Sequence, residues 1–354
     1  MRFQSVDRPP YWVSHPWQET VKRWIGEGFR EGTDLRAMFG AEGPIFVGIY
    51  YGPMPRFEEK VVEENDHTRV IMNHEGILMR ELKERTETSM PQFLKFPVAT
   101  LDDYREMRWR LQPNFEDRFA PDWPQKLEAW KQRTDPLCCF GNRQAGFFGS
   151  HRNLMGLESF AIALHDDPAL IEEMMEDRVN LIIAVTERIL EDVQFDYFGF
   201  WEDMAFKTGP LISPTMFRRI MVPRYKRVTD FLRSKGVDLI FVDSDGDINS
   251  LIPLWLEAGV NGVWPLEIQS NMDPVALRKQ YGNDLCMIGG IDKKALARDK
   301  QAIRDEVMSK VPWLIERGGY LPQADHSIPP DVPWENYEYF MELLGEVLGC
   351  RSGS

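Results

Sequence analysis

The run Phe241-Val242-Asp243-Ser244-Asp245-Gly246-Asp247 sets three carboxylates at alternate positions, directly behind the apolar stretch from Val237 to Val242. Burying an unpaired acid is costly, so acids that end a buried strand are expected to face an opening rather than a core. Residues two apart on a strand point to one side. Asp243 and Asp245 are therefore expected to share a mouth, where they would ligate a metal or work as acid and base. The competing role for Asp245 and Asp247 is to cap the helix that follows. A calcium loop of EF-hand type does not fit, because glycine falls at the fourth position instead of the sixth and the twelfth residue is Leu254. His326, one of six histidines, sits in the stiff, non-helical run Asp325-His326-Ser327-Ile328-Pro329-Pro330. It reads as a metal ligand or general acid, or as a structural imidazole bonded to loop carbonyls. Glu202 and Asp203 close another apolar run, Phe195 to Trp201, with Glu202 as a ligand or base and Asp203 as an ion-pair partner for an arginine or for Lys207.

Arg143, His151 and Arg152 flank a glycine-rich loop from Gly141 to Gly149, where a guanidinium could clamp a carboxylate or phosphate. Tyr50, Tyr51, Phe147, Phe148, Trp201 and Trp264 could line an apolar pocket or belong to an ordinary barrel core. The substrate-binding set drawn from these groups is Arg143, Arg152, Trp201, Tyr50 and Asp203. The catalytic set is His326, Asp245 and Glu202. The candidate metal ligands are Asp243, Asp245, His326 and Glu202.

The elements that must position these groups alternate. Strands are expected at Pro44 to Tyr51, Leu137 to Phe140, Phe195 to Trp201, Val237 to Val242, Val260 to Pro265, Leu285 to Ile288 and Tyr320 to Pro322. Between them lie helical stretches: one opened by Asp167-Pro168, one running from Ser213-Pro214 towards Lys235 with a kink or a break at Pro223, one from Ile248 to Ala258, one from Asp273-Pro274 to Gly282, and one from Lys300 to Arg317. Strand–helix units at this spacing imply a parallel sheet, and a (β/α)8 barrel would bring every strand end to one face. Neither G-x-G-x-x-G after a strand nor G-x-x-x-x-G-K-[ST] occurs, which lowers the weight of nucleotide-binding α/β folds. The expected architecture is a single α/β domain over residues 1–354, a TIM barrel with an N-terminal helical extension (1–43) and a β-hairpin insertion (52–100) that turns near Asn73 to Gly76.

The net charge of −14 argues against nucleic acid or an anionic membrane as partner. The four cysteines, Cys138, Cys139, Cys286 and Cys350, show no C-x-x-C spacing and suit reduced thiols in a cytoplasmic protein. No secretory h-region opens the chain, and no apolar run is long enough to span a bilayer.

The chain resembles the uroporphyrinogen decarboxylase-like superfamily, which includes cobalamin-dependent methyltransferases. The likeness rests on Trp201-Glu202-Asp203-Met204-Ala205, Gly209-Pro210-Leu211-Ile212-Ser213-Pro214, Gly259-Val260-Asn261-Gly262, Gly289-Gly290-Ile291-Asp292 and the segment from His326 through Pro333 to Asn336. It implies a (β/α)8 barrel. The true decarboxylase carries Arg-Gln-Ala-Gly-Arg near its N-terminus; here that region reads Tyr11-Trp12-Val13-Ser14-His15-Pro16-Trp17, and Arg143-Gln144-Ala145-Gly146 lies elsewhere. The decarboxylase's phenylalanine–aspartate loop is also absent. Coenzyme M-type methyltransferases bind zinc through His-x-Cys-Gly and a later Cys; the matching positions are Asp243-Ser244-Asp245-Gly246 and His326. Oxygen and nitrogen ligands would make a harder, more Lewis-acidic site than thiolates. The resemblance thus implies the demethylating component of a corrinoid-dependent methyltransferase. It would bind zinc and a small O- or N-methylated donor, draw on a corrinoid (cobalamin) carried by a partner protein, and could form a homodimer. A metal-free decarboxylase or lyase on a small carboxylic acid, with Arg143 or Arg152 on the carboxylate, is the alternative. A non-catalytic binding protein on the same barrel is the third reading.

Overall fold

A computed structural model describes residues 1–4, 8–84, 89–140 and 145–350. Its centre is a seven-stranded parallel sheet: β1 (Ile45–Phe46), β2 (Leu137–Phe140), β3 (Tyr197–Trp201), β4 (Leu239–Asp243), β5 (Gly262–Trp264), β6 (Cys286–Ile288) and β7 (Tyr320–Leu321), in spatial order identical to chain order. Helices cover its outer face, against which Phe198, Phe200, Ile240, Val242, Val263 and Met287 are buried. A curled parallel sheet wound in chain order is a fold of the TIM-barrel type.

Among the described residues the sheet has seven strands. β7 does not pair with β1; the segment Tyr11–Pro16 runs between them. On one side Trp12 bridges Glu42 in parallel fashion. On the other, Gln323 Nε2 donates to the Val13 carbonyl at 2.9 Å, Ala324 N–H donates to Ser14 Oγ at 2.9 Å, and Pro16 bridges Ile328. The N-terminal segment therefore stands where an eighth strand would, and it brings His15 and Trp17 to the rim.

Helix boundaries follow the capping chemistry. Asp167 accepts from Leu170 N–H and opens Pro168–Asp192. Ser213 accepts from Met216 N–H and opens Pro214–Ile220; the chain breaks at Met221 and resumes as Val222–Ser234, with Pro223 in its first turn. The insertion between β1 and β2 is larger than a hairpin. It forms a four-stranded antiparallel sheet of Lys60–Glu64, Thr68–Met72, Leu78–Leu82 and Gln92–Lys95. Its central turn is held by Asn73 Oδ1, which accepts from Glu75 and Ile77 N–H. Two helices, Gln18–Gly26 and Leu35–Phe39, precede β1. All four cysteines are free, and no helix among the described residues is long and apolar enough to cross a membrane.

Candidate active site

Strand register builds the site. Asp243, the last residue of β4, pairs with Trp201 on β3 and with Trp264 on β5. Parallel partners point to the same side of a sheet, so a carboxylate stands between two indoles on the inner face. One residue-pair lower, Gly199, Phe241 and Gly262 form the next row, and Phe140 on β2 pairs with Gly199.

Beyond the strands, Asp203, Asp243 and Asp245 line a cavity of about 420 Å³, together with Trp17, Phe140, Trp201, Trp264, His15 and His326. His326 Nε2 lies 3.6 Å from Asp245 Oδ2, and the carboxylate raises the imidazole pKa against the opposing effect of burial. Two sets of ligand atoms lie within 4.8 Å of one another: Asp245, Glu267 and His326, and Asp203, Asp243 and Asp245. Glu267 was not among the sequence candidates. It is held by Gly246 N–H to Oε2 at 3.0 Å and by Lys293 Nζ to Oε1 at 3.3 Å. Gly246, at φ +85°, brings its backbone against Ala205, where a Cβ would collide with the Ala205 carbonyl. Lys293 also lies 3.8 Å from Asp325, a fully buried carboxylate that burial pushes up to about 6 and that accepts from Ile268 and Lys293 N–H. Asp325 thus anchors the loop that carries His326. Asp247 is turned away to Asn249 and Asn271, stapling its own loop.

Glu202 departs from its expected role as ligand and base. Its side chain is completely buried and points away from the mouth, into the barrel wall. It accepts from the backbone N–H groups of Phe147 at 2.7 Å, Phe148 at 2.6 Å and Gly149 at 3.0 Å, and from the Tyr225 hydroxyl. It caps the helix Phe148–Met155, whose N-terminal amides favour an anion. Burial pushes its pKa up to about 7, against the four hydrogen bonds that pull it down. Gly146 and Gly149 permit this approach, because a Cβ at either would overlap Trp201. Tyr50 likewise lies outside the cavity. It is buried against His74 and Arg56 beside the insertion.

The remaining candidates divide. Trp201, Asp203, Asp243, Asp245 and His326 come together at the cavity. Arg152 stands behind it, donating to the Asp203 carbonyl at 2.7 Å, approaching the Asp203 carboxylate at 3.9 Å and lying over the Trp201 ring. The expected arginine partner of Asp203 is therefore Arg152. Arg143 lies outside the described residues. Phe147, Phe148 and Tyr51 belong to the core. His15 and Trp17 had no sequence signal as site residues, since only the N-terminal segment's place between β7 and β1 brings them in. Glu267 carried a weak signal as an acid just after β5.

A family profile described as uroporphyrinogen decarboxylase (URO-D) matches residues 149–347, more than half of the chain. Among curated proteins, a uroporphyrinogen decarboxylase of Legionella pneumophila is 25% identical over 173 residues, 48% of this chain and 46% of that protein. That of Carboxydothermus hydrogenoformans is 28% identical over 137 residues, 38% of this chain and 37% of the relative. That of Syntrophotalea carbinolica is 22% identical over 259 residues, 71% of each. The chain spans about half the length, or less, of the first of these curated relatives. Among solved structures, a methyltransferase from Methanosarcina mazei superposes with a TM-score of 0.58 at 15% identity, covering 97% of this chain and 95% of that one, a likeness of fold.

Proposed function

Because this chain belongs to the uroporphyrinogen decarboxylase family, we propose that it is the demethylating component of a corrinoid-dependent methyltransferase system. It would move a methyl group from a small O- or N-methylated substrate to a corrinoid carried by a partner protein. The observation that carries this reading is the charge of the cavity. Its described walls hold three aspartates and two histidines, with no lysine or arginine among them. Such a wall repels carboxylates and accepts neutral or cationic donors. A tetrapyrrole polycarboxylate, or a small acid awaiting decarboxylation, would be better served by arginine or lysine in the lining than by three carboxylates. The methyltransferase among the solved structures of similar fold supports the same choice.

The donor set of Asp245, Glu267 and His326, two oxygens and one nitrogen, suits zinc with a position left open. A zinc ion there would supply Lewis acidity to a leaving heteroatom. The protein's own groups do the rest. Gly246 N–H and Lys293 orient Glu267, and Asp325 holds the His326 loop. Asp245 keeps the imidazole of His326 aimed at the cluster. Trp17, Trp201 and Trp264 wall the cavity and limit water around the transferring methyl group.

The test is elemental analysis by ICP-MS of the zinc-supplied protein and of Asp245→Ala and His326→Ala, paired with an assay of corrinoid methylation on candidate donors. Near-stoichiometric zinc that disappears in both variants, with methyl transfer lost alongside, is expected. A well-folded protein that takes up no zinc and methylates no supplied corrinoid overturns the assignment. Release of CO2 from a small acid would favour the carboxy-lyase reading instead.

A further inference from the structure

The interior of a TIM barrel is ordinarily packed by layers of branched side chains. Here the packing is one-sided. Trp12, Leu239, Phe241, Cys286, Ile288 and Leu321 form a cluster separate from the main core, with Met1, Phe3 and Tyr197 against it. Next to that cluster lies a cavity of about 460 Å³. Trp12, Phe241 and Ile288 of the cluster bound it on one side, and Phe46 and Phe140 on the other. It shares Phe140, Asp243 and Trp264 with the acidic mouth, so the two cavities adjoin as an inner and an outer lobe.

The register explains why this space stays open. One row inside the barrel reads Phe140, Gly199, Phe241, Gly262, Cys286 from β2 to β6. Three of those five residues are small, so the row contributes little bulk. A Cβ at Gly199 would collide with the Phe140 ring, and one at Gly262 with the Phe241 ring. Each ring therefore lies against its neighbouring glycine, along the wall. A side chain at either glycine would push a ring into the lobe.

The deep wall described here is aromatic and aliphatic, and its polar groups stand at the edges. Arg36 donates to the Gly43 carbonyl and pairs with Asp135, and Glu42 pairs with Arg8. His15, Asp243, Gln323 and Ser327 line both lobes, which places them at the junction. Phe46 is 54% exposed and Trp264 36%, so the wall offers apolar surface for a ligand to cover. A cavity of this kind buries an apolar body and orients a polar end. Its volume of about 460 Å³ is roughly three times that of an engineered apolar cavity of about 150 Å³ that takes up benzene. A six-membered ring with a short substituent fits, whereas a one-carbon compound would cover little of the wall.

We propose that the substrate of this barrel carries an apolar body of at least one six-membered ring, held in the inner lobe with its heteroatom at the junction. The lobe selects by shape and apolar area. That the heteroatom bears a methyl group rests on the methyltransferase reading above; the binding of the ring does not.

The test is calorimetric titration of the purified full chain with three uncharged alcohols. Benzyl alcohol carries a flat ring, cyclohexylmethanol a saturated ring, and methanol no ring. Both ring alcohols are expected to bind at least about a hundredfold more tightly than methanol, with a negative heat-capacity change. Ile288→Trp, which fills the lobe, should weaken both ring alcohols at least about tenfold. Gly199→Ala, which displaces the Phe140 ring, is a smaller obstruction should the tryptophan variant not fold. Crystals of the unsubstituted protein soaked in 4-bromobenzyl alcohol locate the ring without any substitution: the bromine anomalous signal is expected between Phe140, Phe241 and Ile288. Ring alcohols that bind no more tightly than methanol, or a bromine found only outside the barrel, overturn the proposal. So does ring affinity unchanged in a folded obstructed variant. Ring binding without methyl transfer leaves this site standing and sinks only the methyltransferase assignment.

Discussion

Two acids at neighbouring strand ends, Glu202 after β3 and Asp245 after β4, have opposite surroundings. Glu202 has no exposure, four donors on its two oxygens, and no route to the cavity. Asp245 has a side chain 41% exposed, one histidine 3.6 Å away and three other carboxylates, Glu267, Asp203 and Asp243, within 4.8 Å. The comparison shows that a strand end is only an address. Whether an acid there does chemistry or holds the fold is decided by what else reaches it. Glu202 is met by the helix N-terminus that starts at Phe148, and its charge is spent on orphan amides. Asp245 is met by groups that can also ligate or transfer protons.

The largest effect that sharpens this comparison is on stability. Glu202→Ala leaves three amide groups and the Tyr225 hydroxyl buried without their acceptor. A loss of about 4 kcal/mol in unfolding free energy is expected, since one buried unpaired group alone costs about 1–3 kcal/mol. Urea unfolding checks it. A loss under about 1 kcal/mol would mean that water replaces the carboxylate and that the site is less closed than its geometry indicates.

The next effect is a pH dependence of opposite sign to the usual carboxylate. Burial raises the Glu202 pKa to about 7, so the folded state holds the proton more tightly than the unfolded chain. The resulting stability is fully present below the ordinary glutamate pKa of about 4.3 and is lost as pH rises through about 7. Between those limits the wild-type protein should lose on the order of 3 kcal/mol relative to Glu202→Gln, at about 1.4 kcal/mol per pH unit. Parallel denaturation curves at pH 5, 6, 7 and 8 measure the difference. A difference that does not change with pH would mean that the four hydrogen bonds outweigh desolvation and keep the carboxylate ionised throughout.

The outer address was legible in the sequence and the inner wiring was not. Alternating acids after an apolar run, and a histidine on a proline-stiffened loop, placed Asp243, Asp245 and His326 at one mouth because strand periodicity and strand-end topology are local rules. The role of Glu202 is non-local: its three backbone donors come from residues 53 to 55 positions earlier, and only the close approach allowed by Gly146 and Gly149 delivers them. His15 and Trp17 reach the site by a still longer route, through the segment that fills the gap between β7 and β1. Glu267 carries in the sequence only the cue of an acid after a strand, because the Asp-x-Asp spacing is confined to one strand, whereas this geometric partner of Asp245 comes from the next. Even the glycines had a readable cue: Gly199 and Gly262 interrupt otherwise bulky apolar strands, the pattern of a close approach. What they approach is visible only in the register.

The smallest stability effect belongs to the other half of the comparison, and it is the more discriminating one. Asp245→Asn removes an ion pair at 3.6 Å between two partly exposed side chains, a contact that contributes at most about 1 kcal/mol. The same change removes one of three clustered carboxylates, Asp203, Asp243 and Asp245, whose mutual repulsion opposes folding. The two contributions offset, so the unfolding free energy is expected to change by no more than about 0.5 kcal/mol in either direction. A measured loss of about 2 kcal/mol would place Asp245 in the same class as Glu202, a structural acid on a loop. Unchanged stability together with abolished zinc uptake would set the two acids apart: one side of the barrel mouth holds like charges together at no gain to the fold, which only a ligand of opposite charge makes favourable.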